Sequence, residues 1–145
     1  LKTNLETRRL AVNELLNGGV VIIFPSGAIS RAKRFVDKAV DPIWKKFVAK
    51  LATQPGTQVL PFFIEGQNTP IFQFAIHCSQ TLGYSLMFRE ICKRMYRPVN
   101  IQMRPILTNQ MINDISDRNK LVDTLRNITY FGTAEASVSI NNSLK

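Results

Sequence analysis

Five apolar residues in a row, Val20-Val21-Ile22-Ile23-Phe24, stand between Gly19 and Pro25. A β-branched run that is apolar at every position has no polar face to turn to water. It therefore predicts a strand in the middle of a covered, largely parallel sheet. Before it, Leu5, Val12, Leu15 and Leu16 line one side of a predicted helix, with Asn4 as N-cap and Gly18 where helices commonly place a terminal glycine. After it, Asp41-Pro42 has the form of a cap followed by proline in the first turn. Trp44, Phe47, Val48 and Leu51 follow at the i, i+3, i+4, i+7 spacing of a helix, with Lys45, Lys46 and Lys50 on other faces.

Pro55-Gly56 predicts a turn, and Val59-Leu60-Pro61-Phe62-Phe63-Ile64 a second apolar strand. Pro61 cannot donate to a ladder, so it marks an edge, a bulge or a strand start. Thr69-Pro70 repeats the cap signal, and the helix after it is expected to bury Ile71, Phe74, Ala75 and Cys78, leaving Phe72 off the stripe. Phe88, Ile91, Cys92 and Met95 predict a further helix. Val99, Ile101 and Met103 alternate with polar residues as in a half-exposed strand. Leu121, Val122, Leu125 and Ile128 predict a last helix ending near Gly132. The pattern is a mixed α/β fold, a sheet flanked by helices, over residues 1–131, with a Ser- and Asn-rich polar tail over 132–145. Three strands are few for a covered sheet, so more strands are expected from sequence before Leu1.

Hydrophobic residues make up 45% of the 145 and charged residues 20%, which fits a packed core and argues against disorder. No apolar run approaches the roughly 18–20 residues that cross a bilayer. The net charge of +9 is concentrated: seven basic against two acidic residues from Arg31 to Lys50, and five against Glu90 from Arg89 to Arg104. Such patches suit anionic lipid headgroups, an acidic carrier protein or nucleic acid, or are simply a solvated face. Nucleic acid ranks below the others, because no aromatic platform alternates with the basic residues. With one histidine and two cysteines outside any C-x-x-C motif, a zinc site is short of ligands. Cys78 and Cys92 are expected as buried thiols, a disulfide being the alternative.

The turn that ends the first strand is the main candidate for chemistry. Open α/β sheets gather ligands at the carboxyl ends of their strands, and Gly27 lets backbone amides approach an anion. Phe24-Pro25-Ser26-Gly27 after an apolar strand resembles the third signature block of the glycerolipid acyltransferases, and Val59 to Ile64 with Pro61 resembles the fourth. With Ile64-Glu65-Gly66-Gln67-Asn68 and Ile71-Phe72-Gln73, the chain is similar to the branch holding lyso-ornithine lipid acyltransferases, some members of which carry a haemolysin label. The likeness spans roughly Leu5 to Leu107.

That resemblance implies an acyltransferase-like fold and a bacterial, membrane-associated enzyme of phospholipid biosynthesis, peripheral on the cytoplasmic side of the inner membrane. It would move a fatty acyl chain from acyl carrier protein or acyl-CoA to a lysolipid hydroxyl without another cofactor. The implied substrate-binding residues are Phe24, Pro25, Ser26, Gly27, Ser30, Arg31, Arg34, Pro61, Glu65 and Gly66. Ser26, Ala28 and Ile29 replace the family's Glu, Thr and Arg. Its His-x-x-x-x-Asp block is absent: the only histidine is His77, and Leu82 holds the place of the aspartate. The base is expected upstream of Leu1, and this chain alone is expected to be inactive. Glu65 either faces the site or pairs with a basic helix. The nine phenylalanines either line an acyl tunnel or fill the core.

Overall fold

The computed structural model describes residues 2–34 and 37–132. The chain divides into two compact units, one of Leu1–Gly27, Trp44–Phe63 and Met103–Lys145, the other of Ala28–Ile43 and Ile64–Gln102. The tail expected after Gly132 lies outside the described residues.

The first unit holds helix α1 (Lys2–Leu16), the short helix α2 (Phe47–Ala52), helix α6 (Asn109–Asn113) and helix α7 (Arg118–Phe131). Its core is Trp44, Val48, Ala49 and Ala52 against Leu121, Val122, Leu125 and Ile128, with Leu107 and Ile112. The α7 stripe is the one its spacing predicts. Asp117 accepts from the Asn119 amide at its start, and Gly132, left-handed at φ 85°, ends it. The helix expected from Asp41-Pro42 begins later, at Phe47, because the Asp41 carboxylate accepts the Ser30 hydroxyl instead of capping. Asn4 likewise lies inside α1 and is not its cap.

The second unit holds helices α3 (Pro70–Cys78), α4 (Gln80–Ser85) and α5 (Met87–Arg94). Thr69 caps α3 as expected, but the buried stripe is Phe72, Gln73, Ala75 and Ile76, while Ile71, Phe74 and Cys78 are exposed. The reason is α4, which the sequence pattern did not suggest: Gly83 lets it sit directly against Ile76. Cys78 and Cys92 are free and exposed, against the expectation of buried thiols.

The observed architecture is mixed helix and sheet, the sheet being small: β1 (Phe62–Ile64) and β2 (Ile101–Met103) pair antiparallel. In the first unit the Arg104 amide donates to Pro61 O, which sets Phe62 opposite Met103. In the second, the Glu65 amide donates to Asn100 O, which sets Ile64 opposite Ile101. Val59 bridges Leu107 just before β1. Residues 20–24 are not a strand of this sheet, since no described residue pairs with them in a ladder. Their side chains nevertheless alternate: Ile23 packs on the core, while Val20, Ile22 and Phe24 are 85%, 84% and 74% exposed.

Candidate functional site

In the first unit, the apolar run delivers a tight turn. The Gly27 amide donates to Phe24 O at 3.0 Å, and Gly27 takes φ 61°, a value that suits glycine. The Lys45 amide holds Pro25 O at 3.0 Å, and the Lys45 side chain lies over the turn, with Nζ 2.8 Å from where a Cβ on Gly27 would stand. Ser26 is buried and Phe24 exposed beside it. A backbone turn with an ammonium across it is chemistry for an anionic or carbonyl oxygen. Lys45 was not among the residues the sequence pointed to as a site; it belonged only to a basic helix face. Pro61 is buried, its carbonyl used by Arg104.

In the second unit, Ser30, Arg31 and Arg34 lie on a loop held from several sides. The Ser30 hydroxyl donates to Asp41. Arg31 and Val40 exchange backbone bonds at 3.1 and 3.0 Å, and Asp37 accepts the Arg34 amide at 3.1 Å. Ala32 is gripped from α3: its amide donates to Gln73 Oε1 at 3.1 Å, and its carbonyl accepts from His77 Nε2 at 2.8 Å. A carbonyl only accepts, so the His77 nitrogen facing it carries the hydrogen. His77 is therefore a clasp on this loop.

Glu65 accepts from the side-chain amides of Asn100, at 3.2 Å, and Gln102. These are neutral donors on β2 and its approach, where sequence reasoning offered a basic helix as the partner. Gly66, at φ 121°, lies against the Arg94 guanidinium, which donates to Gln67 O. A shallow cavity of about 330 Å³ opens beside it, lined by Asn68, Met87, Glu90, Ile91, Arg94 and Met95. None of the sequence-predicted residues lines it.

Among the described residues, no three His, Cys, Asp or Glu side chains are grouped to hold a metal. No helix among them is long and apolar enough to cross a membrane. No protein-family model, curated protein or solved structure matches the chain.

Proposed function

We propose that the chain is the C-terminal part of a peripheral membrane acyltransferase, which moves a fatty acyl group from an acyl carrier protein or acyl-CoA thioester to the hydroxyl of a lysolipid. The observation that supports this reading is the run from Val20 to Phe24. It is bounded by Gly19 and Pro25, lies outside any ladder of the described residues, and leaves every second side chain open. A β-branched run of this kind is a favourable partner for further strands, which would cover the side chains it leaves open. Strands from preceding sequence would complete the largely parallel, acyltransferase-like sheet, with the Pro25-Ser26-Gly27 turn at its edge.

In that setting the turn and Lys45 hold the polar end of the acceptor. A histidine on the preceding part takes the proton of the acceptor hydroxyl, which is far too weak an acid to ionise, and so to react, alone at neutral pH. The oxygen attacks the thioester carbonyl, the C–S bond breaks, and the proton passes to the leaving thiolate. The phosphate-directed residues of the resembled block are replaced by Ser26, Ala28 and Ile29, which favours an acceptor without a glycerol phosphate.

The test is the gene that encodes the chain. The reading expects His-x-x-x-x-Asp upstream of Leu1, a longer protein that transfers labelled acyl groups to lyso-ornithine lipid, and loss of transfer when that histidine becomes alanine. A reading frame without the motif, or a longer protein inert toward every lysolipid and both donors, sinks it.

A further inference from the structure

Helix α5 is inside out. At about 100° per residue, Phe88, Ile91, Cys92 and Met95 share one arc, and Glu90 lies roughly 150° from its centre. On a helix packed into a water-soluble domain, the apolar arc faces inward. Here the residue facing inward is Glu90, 3% exposed, its carboxylate accepting the Thr69 amide and hydroxyl at 2.7 and 2.6 Å. The apolar arc faces outward, with Phe88 75% exposed and Ile91 and Met95 about half exposed. Beyond the helix end, Tyr96 is fully exposed and takes φ 65°, a left-handed conformation that a tyrosine rarely adopts.

Charge says what covers this arc. From Met87 to Arg97 the basic residues are Arg89, Lys93, Arg94 and Arg97, and the only acid is Glu90, already satisfied from within. Arg94 is bonded to Gln67 O, which leaves Arg89, Lys93 and Arg97 on the exposed surface. An outward apolar arc, basic side chains and a tyrosine at the rim match the boundary between the headgroups and acyl chains of an anionic bilayer. A purely acidic soluble surface would meet the charges and leave the arc in water, and a nucleic acid, though a base can stack on Phe88, would leave Ile91 and Met95 in water.

We infer that α5 is an interfacial helix that docks this unit on anionic membrane, with Phe88, Ile91 and Met95 among the acyl chains and Arg89, beside the arc, and Arg97, beyond the helix end, at the headgroups. The inference stands on α5 alone and holds whether or not the chain belongs to an acyl-transferring enzyme.

Cys92, exposed on the same arc, allows a direct test. The full chain carrying Cys78→Ser takes an environment-sensitive fluorophore at Cys92 and is titrated with phosphatidylcholine vesicles, with and without phosphatidylglycerol. Blue-shifted, brighter emission with the anionic vesicles, weakening as salt is raised, is the expected result. Phe88→Ser with Ile91→Ser should abolish it, and Arg89→Gln with Arg97→Gln should weaken binding roughly 25-fold, about fivefold per charge. Far-UV circular dichroism checks that each variant keeps its helices. The inference is overturned if neutral vesicles give the same signal, if anionic vesicles give none, if the folded Phe88 and Ile91 variant binds as before, or if an oligonucleotide displaces the vesicles.

Discussion

Thr69 gives both its amide and its hydroxyl to the carboxylate of Glu90, at 2.7 and 2.6 Å, while its oxygen also accepts the Phe72 amide at 3.4 Å. One residue thus starts α3 and neutralises the polarity of the one charged side chain that α5 turns inward. Thr69→Val keeps the volume and loses the hydroxyl. A hydrogen bond to a charged group contributes about 1.5–3 kcal/mol and a cap about 1 kcal/mol. Urea unfolding of Thr69→Val should show a loss of roughly 3 kcal/mol with an unchanged slope, and Thr69→Ser less than about 1 kcal/mol. A loss below about 1 kcal/mol for the valine variant would mean that Glu90 finds other donors.

The same pair shows which parts of the fold are legible in the sequence. Thr69-Pro70 announces a helix start through local chemistry, and the structure keeps it. So do Gly132 and the four-residue stripe of α7, where one long helix buries one face. Periodicity alone fixes that some face of α3 and α5 is apolar, and not whether that face is the one covered. On α3 a glycine on the next helix decided the matter by admitting close approach to Ile76. On α5 a hydrogen bond from outside the helix turned Glu90 inward. Val20 to Phe24 is legible as extended chain, but ladders need neighbours, and among the described residues none is supplied. Of the candidate site, the turn and its glycine were legible, whereas Lys45 reaches Gly27 across 18 positions and carries no local signal.

Gly83 sits where α4 crosses α3. A Cβ there would lie 2.7 Å from Ile76 Cβ and 2.9 Å from its backbone Cα. In an open helix, Gly→Ala stabilises by about 1 kcal/mol. Overpacking costs about 1–3 kcal/mol and here falls on a backbone atom that has little room to yield. The clash should win, so Gly83→Ala lowers stability by roughly 1–2 kcal/mol. Ile76→Ala alone costs about 2–5 kcal/mol for the lost burial and the cavity. Alanine at 76 keeps the Cβ and Cα that a Cβ at position 83 would strike, so the double variant should lose close to the sum of the two, as read from a thermal or urea double-mutant cycle. A double variant more stable than that sum by about 1 kcal/mol or more would mean that α4 shifts into the vacated space instead of clashing.

Gln73, fully buried, accepts the Ala32 amide through Oε1, while its Nε2 has no partner among the described residues. Gln73→Met therefore sets two effects against each other. It leaves the Ala32 amide unpaired, which costs about 1–3 kcal/mol, and it removes a buried unpaired amide nitrogen worth a similar amount. Net stability should move by no more than about 1 kcal/mol. Hydrogen exchange at Ala32 is the sharper readout and should quicken about tenfold or more, because the loop loses its inner anchor. His77→Ala frees the Ala32 carbonyl instead, and should cost about 1 kcal/mol while leaving that amide bonded. An Ala32 amide that exchanges no faster in Gln73→Met would show that the loop is held by its own Arg31–Val40 bonds.

Arg104 was one of five basic residues in the second charged stretch of the sequence, yet it is not spent on a partner. Its Nε donates to Thr129 O and its Nη2 to Tyr130 O, both at 3.0 Å, where α7 runs out of amides to satisfy its carbonyls. The guanidinium also lies 5.8 Å from the centre of the Phe63 ring, and Phe63 in turn sits 5.4 Å from Tyr130. A planar fork can reach two carbonyls and stack on a ring at once, whereas a lysine ammonium reaches at most one of these well. A cation at a helix C-terminus adds about 0.3–1 kcal/mol from the dipole, and each bond to a charged donor more than a neutral one. Arg104→Lys should therefore cost roughly 1–2 kcal/mol and Arg104→Ala roughly 2–3 kcal/mol, with fraying of the last turn of α7 seen as faster amide exchange near Phe131. Neither should weaken vesicle binding, because this charge already serves the fold. Loss of membrane affinity in a folded Arg104→Lys variant would place it with the surface charges after all.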